Sequence, residues 1–206
     1  MDQVLSITGI PRSGSTLVYQ ICRQIIIDKK SKRYRHPANS IFRSHRLLVP
    51  GETWNKNIIV CLRDPRDAIL SFSKLRFNGK RMNLNEWLKS LVDTTTMYKE
   101  KDRDGYHIFR YEFFYPDNLI EMYKEICSIM DSDFDVDYYN ELIQKFSLEN
   151  ALNVSMSLGD FSKINNDNML HGQHVTNSGK IGGWKTELSQ DLLELVNPYL
   201  KELGYA

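Results

Sequence analysis

An α/β fold is what this sequence predicts: a mainly parallel sheet with helices on both faces. Three observations predict it. Val4, Leu5 and Ile7 form a β-prone apolar run bounded by Gly9 and Pro11, and Leu17, Ile21 and Ile25 then recur at helical spacing. Ile58-Ile59-Val60-Cys61-Leu62 is a run of consecutive apolar residues, as in a strand buried on both faces of a parallel sheet. Strand and helix patterns go on alternating along the chain. There is no internal repeat and no convincing interior linker, so residues 1–206 read as one domain.

Composition narrows the function classes. A chain of 206 residues builds one good core rather than two. Apolar content of 41% and charged content of 26% are those of a soluble globular protein. A net charge of +1 provides no general basic field for nucleic acid, so an anion site must be built locally. Cys22, Cys61 and Cys127 are odd in number and widely spaced, and Cys61 lies inside an apolar run. Buried free thiols are expected rather than a disulfide, and with them a reducing, cytoplasmic compartment. No apolar run approaches a membrane span, and Met1 leads almost at once into the first strand. Neither a membrane partner nor a signal peptide is expected.

The first loop carries the chemistry. From Gly9 to Thr16 it holds two glycines, three hydroxyls and one arginine in eight positions. Such a loop turns backbone N–H groups toward one anion, and the first turn of the next helix adds free donors and partial positive charge. An ordinary turn rich in small residues would read the same way. Residues 28 to 39 form a basic, polar connection, expected as a solvated loop unless one or two cations reach an anionic substrate. Ile41-Phe42-Arg43-Ser44-His45 reads as a second strand whose end delivers His45. After the strand at 58–62 come Arg63 and a helix with Pro65 near its start, where proline is tolerated. Ala68, Ile69, Phe72 and Leu75 continue it, with Ser71 near its second turn. Parallel sheets bind ligands beyond the strand ends, where Arg63 stands.

Leu84, Trp87, Leu88, Leu91 and Thr95 mark a helix over roughly 83–101, with Trp87 in the core. His107 to Glu112 reads as a strand, and Leu119 to Met130 as an amphipathic helix. One or two short helices are expected between Asp131 and Ser155. Residues 157 to 179 look like a long loop, a frequent form of lid. His171 and His174 lack the carboxylate or cysteine company of a metal site, so none is proposed. Leu192 to Leu203 ends the chain as a helix stopped by Gly204, with Pro198 expected to kink it.

Pro11-Arg12-Ser13-Gly14-Ser15-Thr16 resembles the P-K-S-G-T-T loop of sulfotransferases, with arginine for lysine. It also resembles the P-loop G-x-x-x-x-G-K-[ST], except that Ser15 holds the lysine position. Arg43-Ser44-His45-Arg46-Leu47 is similar to the sulfotransferase K-T-H-L-P segment. Arg63, Asp64, Pro65, Asp67 and Ser71 match R-[ND]-P-x-D-x-x-x-S in register. Helix capping alone would explain Asp67 but not the set. Tyr111-Glu112 resembles Y-E-D, with Phe113 replacing the aspartate, and Phe146 to Asn150 stands where the family has T-S-F. Gly179, Gly182, Trp184 and Lys185 match R-K-G-x-x-G-D-W-K, but Asn177 and Ser178 replace the Arg-Lys pair and Gly183 the aspartate. These motifs occur in the family's order, from residue 4 to about 190.

The resemblance implies a P-loop-like fold and a sulfotransferase. Its donor would be 3′-phosphoadenosine 5′-phosphosulfate (PAPS), its product 3′-phosphoadenosine 5′-phosphate (PAP), and no metal is required. His45, Arg12 and Arg43 would be catalytic. Arg12, Ser13, Gly14, Ser15, Thr16 and Leu17 would hold the donor, with Arg63, Ser71, Tyr111, Gly179 and Lys180. In this scheme Arg63 and Ser71 grip the 3′-phosphate, Lys180 stands in for the missing pair, and Leu17 replaces a tryptophan that stacks on adenine. The acceptor would carry a hydroxyl or amine, on a small molecule, a glycan or a lipid. A chain short for the family points to an open pocket and a bulky or polymeric acceptor. A P-loop kinase or NTPase, and an inactive nucleotide-binding protein on the same fold, stay open.

Overall fold

The structure is a computed structural model that describes residues 4–36, 40–45, 55–165, 169–173, 175 and 179–205. Its centre is a parallel sheet of four strands in the order β2-β1-β3-β6: β1 (Val4–Gly9), β2 (Ile41–Arg43), β3 (Asn55–Leu62) and β6 (Tyr106–Arg110). Register runs Leu5 to Ile41 on one side of β1 and Ile7 to Ile59 on the other, then Val60 to Ile108. The chain leaves β1 to one side for β2 and returns past it for β3. That reversal of strand order opens a crevice at the C-terminal ends of β1 and β3, the usual ligand position in such sheets.

The apolar run of β3 is buried on both faces because its side chains alternate between two cores. Ile59 and Cys61 join Leu5, Ile7, Ile21 and Ile25 on one face, covered by α1 (Ser15–Ile27), α5 (Leu119–Met130) and α6 (Val136–Lys145). Ile58, Val60 and Leu62 join Ile69, Trp87, Leu91 and Val196 on the other. There α2 (Pro65–Ser73), α3 (Leu84–Lys99) and α9 (Gln190–Leu203) cover the sheet. Each fully buried aliphatic side chain contributes about 1.5–3 kcal/mol, so both layers are anchored by the strand between them. Trp87 is completely buried, as expected of a core residue, and its indole N–H donates to the Pro11 carbonyl at 3.2 Å. The helix α3 thus braces the first loop from below.

Several expectations are refined. Tyr111 and Glu112 fall beyond β6, in the short helix α4 (Tyr111–Phe114). Asp64, not Asp67, caps α2, accepting from the Arg66 amide at 2.9 Å with Pro65 in the first turn. Where it is described, the basic connection is largely solvated as expected, with Asp28, Lys29, Lys32, Arg33, Arg35 and His36 exposed, but several of its side chains find partners. Lys30 pairs with Asp135 at 3.2 Å and Lys32 with Asp133 at 2.9 Å, while Arg33 donates to the Ile129 carbonyl at 2.8 Å. Tyr34 is buried and accepts from Asn57 Nδ2 at 2.7 Å. Lys30 and Lys32 thus offset two carboxylates after α5, and Arg33 ties the connection to the end of that helix. Residues 37–39 of that connection lie outside the described residues.

Helix α7 (Leu148–Leu158) follows α6, completing the two short helices expected there. The segment expected as a loop contains a small hairpin, β7 (Ile164–Asn165) with β8 (Leu170–His171), beside a second one, β4 (Arg76–Phe77) with β5 (Lys80–Arg81). After α8 (Trp184–Glu187), α9 runs through Pro198 and ends at Gly204 in a left-handed cap. Cys22, Cys61 and Cys127 are free and buried in one apolar layer. No helix among the described residues is long and apolar enough to cross a membrane.

Candidate active site

Four strand ends converge on one cavity of about 570 Å³, within the range of small-molecule sites. From the first loop and α1 come Arg12, Ser13, Gly14, Ser15, Thr16 and Leu17. Arg43 and His45 come from the end of β2, Arg63 from β3, Ser71 from α2, Tyr111 from α4, and Gly179 from the loop before α8. Of the residues expected from sequence, Lys180 alone is absent from the wall: its side chain is exposed. Its carbonyl accepts from Arg63 Nη2 at 2.8 Å, so it anchors the arginine instead.

The first loop is built to present donors. Arg12 has φ 80° and Gly14 φ 85°, two left-handed positions with Ser13 between them. For arginine that conformation is strained, by about 1–3 kcal/mol, and the packing around it holds it there. A Cβ on Gly14 would lie 3.0 Å from the Tyr111 ring, so glycine also permits that ring's approach. None of the amides of Ser13, Gly14, Ser15 and Thr16 donates to another backbone group among the described residues. Gly14 at the N-cap offers no side chain to close the end of α1. Four amides and a helix N-terminus are thereby open to an anion.

Three guanidiniums surround this nest. Arg12 Nε donates to Ser71 Oγ at 3.0 Å. Arg63 Nη1 donates to the Arg12 carbonyl at 3.2 Å, and its guanidinium lies 4.5 Å from the centre of the Tyr111 ring. Arg43 donates to Thr16 Oγ1. Burial and the nearby Arg63 lower the Arg12 pKa to about 10, and burial lowers that of Arg43. Neither Arg43 nor Arg63 has a carboxylate within ion-pair distance among the described residues. Arg63 Nε and Ser13 Oγ are buried without a hydrogen-bond partner. Crowded cations and orphaned donors on one wall are a site short of an anion.

His45 stands beside them. Its Nδ1 is 2.8 Å from the Gly9 carbonyl. A carbonyl only accepts, so Nδ1 carries the proton and Nε2 is the basic nitrogen. Burial above all, then Arg43 and Arg12, lowers its pKa to about 4 against the raising effect of that hydrogen bond. The imidazole is neutral near pH 7 and able to take a proton.

Two supports were not read as such from sequence. Asp67, fully buried, accepts from the amides of Gly182 at 2.6 Å and Trp184 at 3.0 Å. It ties the 179–185 loop to α2, and its place in the motif was the available signal. Tyr111 donates to the Gly179 carbonyl at 3.1 Å and stacks on Tyr115 at 4.8 Å, joining the first loop to the last. A side chain at Gly179 would collide with that tyrosine. Phe146 lines the same cavity as Leu17. Arg46, Leu47, His174, Asn177 and Ser178 lie outside the described residues. No cluster of metal-ligating side chains occurs among the described residues.

Comparison with known proteins agrees with this geometry. Mouse sulfotransferase SULT7A1 complexed with PAP has a similar structure, with TM-score 0.66 and 13% identity over 98% of this chain and 85% of that one. Retinol dehydratase in complex with retinol and PAP superposes with TM-score 0.67 at 12% identity, over 97% of this chain and 82% of the other. The complex of retinol dehydratase with androsterone and inactive cofactor PAP gives 0.66 and 12%, over 96% and 79%. At such identities the likeness is one of fold. No curated protein matches the chain in sequence. The sulfotransferase domain family, however, matches residues 39–204, and the chain belongs to it.

Proposed function

We propose that this sulfotransferase uses His45 as general base and the cations around the first loop to stabilise the leaving group. The protein transfers a sulfuryl group from PAPS to an acceptor and releases PAP. Family membership sets aside the kinase reading, in keeping with Ser15 at the P-loop lysine position. The observation that carries the assignment of roles is that Arg12, Arg63 and His45 line one cavity with buried donors left unpaired.

The reaction is an in-line displacement at sulfur, dominated by positioning and charge stabilisation. The acceptor hydroxyl gives its proton to His45 Nε2 as its oxygen bonds to sulfur. The sulfur–oxygen bond to the 5′-phosphate breaks, and negative charge gathers on the leaving oxygen. Arg12, Arg43 and the amides of Ser13 to Thr16 receive that charge. Arginine keeps its proton, so Arg12 and Arg43 act by charge and geometry alone. Arg63 and Ser71 take the 3′-phosphate, which distinguishes this donor from ATP. The Ser71 hydroxyl accepts from Arg12 Nε at 3.0 Å, which holds it beside the loop that grips the donor. Leu17, Phe146 and Tyr111 surround the adenine, and the Gly179 loop closes over it. Lys180 contributes its carbonyl to Arg63 rather than a charge to the phosphate.

The acceptor is a small molecule with a hydroxyl. Apolar walls from Phe72, Leu75, Met82 and Phe161 support this in preference to a glycan. Retinol and androsterone, bound by structural relatives, are of that kind. We read residues 1–206 as one such domain, working in the reducing cytoplasm where three buried thiols stay free.

His45→Ala tests the assignment. PAP should bind with unchanged affinity while sulfate transfer falls by about 10²–10⁴-fold. Unchanged transfer in the variant would remove His45 from the mechanism.

A further inference from the structure

The acceptor cavity has a neighbour. A second cavity of about 570 Å³ shares Val175 with it and is walled elsewhere by Lys74, Arg76, Ser155, Met156 and Gln173. No acidic side chain lines it among the described residues. Leu75 and Phe161, apolar walls of the acceptor cavity, join the two: Leu75 precedes Arg76 in the chain, and the Phe161 amide donates to the Arg76 carbonyl at 3.2 Å.

The two cations of this second cavity are not equivalent. Lys74 Nζ is paired with Glu187 Oε2 at 2.7 Å. Arg76 is half-buried and has no carboxylate within ion-pair distance among the described residues. Asp160, next to Phe161, is engaged by the amides of Asn78, Gly79 and Ser162. Arg76 is also held in place. Its amide donates to Gln173 Oε1 at 3.0 Å, and its Nη1 donates to the carbonyls of Ser73 at 3.2 Å and Leu75 at 3.0 Å, at the end of α2. Those bonds orient the guanidinium plane. They leave Nε and Nη2 without a partner among the described residues, and that edge meets a carboxylate through two parallel hydrogen bonds. Arg66 shows the geometry within this protein: its Nε and Nη2 donate to the two oxygens of Asp64 at 2.9 and 2.7 Å. Capping of α2 accounts for Nη1 and for a positive charge at a helix C-terminus, but it does not use the Nε–Nη2 edge. An arginine already oriented loses little freedom on taking a planar anion.

We propose that Arg76 is a specificity-determining residue that binds the carboxylate of an apolar hydroxy acid, whose hydroxyl faces His45 and whose hydrocarbon body lies along Leu75, Phe161 and Val175. The proposal rests on the sulfotransferase reading of the larger cavity and adds the acceptor class: an amphipathic hydroxy acid over the matching neutral alcohol.

Calorimetry on the full chain saturated with PAP tests it. The probes are 8-hydroxyoctanoic, 12-hydroxydodecanoic and 16-hydroxyhexadecanoic acids, against the α,ω-diols of the same lengths. At one length or more the acid should bind about five- to tenfold more tightly than its diol, a charged hydrogen-bonded contact reduced by solvent at a half-exposed group. Added salt should shrink the preference. Arg76→Gln keeps a donor for the α2 carbonyls and should abolish the preference by weakening the acids, with the diols and PAP binding as before. Arg76→Lys keeps the charge without the two-pronged edge and should retain part of it. The double variant Lys74→Gln, Glu187→Gln removes a neutral pair and should change it little. A merely structural Arg76 would weaken acid and diol alike when replaced. Equal binding of acid and diol at every length, failure of all the probes to bind, a preference surviving in Arg76→Gln, or its loss in the double variant would overturn the proposal while PAP still binds. Failure of PAP itself to bind would overturn the donor reading, and this inference with it.

Discussion

Arg12 Nε donates to Ser71 Oγ at 3.0 Å, linking the first loop to α2 across the cavity floor. Arg63 approaches the same arginine from β3 through its carbonyl, at 3.2 Å. The two residues that meet the 3′-phosphate in our scheme therefore also hold Arg12, which meets the 5′ end of the donor. Loss of one grip loosens the other. Ser71→Ala should weaken PAP binding by about 1.5–3 kcal/mol, the range for a hydrogen bond to a charged group, and Arg63→Ala by a similar amount. The double variant should cost less than the sum, since both act on one phosphate and one arginine. Calorimetric titration with PAP and with adenosine 5′-phosphate checks this. The second nucleotide lacks the 3′-phosphate and should be far less sensitive to Arg63→Ala; an equal loss for both would remove that assignment.

Leu17 stands where the family resemblance expects a tryptophan, and it shares its wall with Phe146. An aliphatic side chain gives the purine contact area but no aromatic face. Leu17→Trp should tighten PAP binding by about 0.5–1.5 kcal/mol, the usual gain of an aromatic pair beyond area. Absence of any tightening would count against adenine at Leu17.

The fold was legible because both its signals were local. The apolar run of β3 announced a strand with two buried faces, and β1 with α1 announced themselves by a change of period at Gly9 and Pro11. The cavity was legible through motif residues at strand ends, since topology brings all such ends to one edge. What stayed hidden depends on pairs distant in sequence. Nothing around Lys30, Lys32 or Arg33 says that their partners lie at 129–135. Asp160 gives no sign that it will accept the amides of Asn78 and Gly79. Lys180 looked like a spare cation, yet its carbonyl, not its charge, is the group that meets Arg63. A backbone acceptor carries no side-chain signature.

Asp67 is fully buried and holds two amides of the 182–184 turn. Asn at this position keeps one acceptor and loses the charge. The nearby Arg63 Nη2 is held by the Lys180 carbonyl in the same loop, so a loosened turn also frees the guanidinium. Asp67→Asn should destabilise the protein by about 1.5–3 kcal/mol and weaken PAP binding without altering the pH dependence set by His45. Thermal unfolding with and without PAP reads both effects, and an unchanged melting temperature would assign the two amides little weight.

In our scheme His45 sets that pH dependence. Burial, Arg43 and Arg12 hold its pKa at about 4 in the free protein, below the ordinary 6.5. With His45 as the base of our scheme, it is ready at any pH above about 4, and the acid limb of kcat/KM should lie near there rather than near 6.5. PAPS brings negative charge against both arginines and offsets their effect. The limb of kcat, which reports the bound complex, should accordingly lie at higher pH than that of kcat/KM. Stability follows the same sign. The folded pKa is below the unfolded one, so on acidification the unfolded chain takes up the proton first. The contribution of His45 is present above pH 6.5 and is lost as pH falls toward about 4. His45→Gln should flatten the stability profile across that window, read by urea unfolding at stepped pH. A kcat/KM limb at 6.5, unmoved by donor, would place the imidazole in water and away from both arginines.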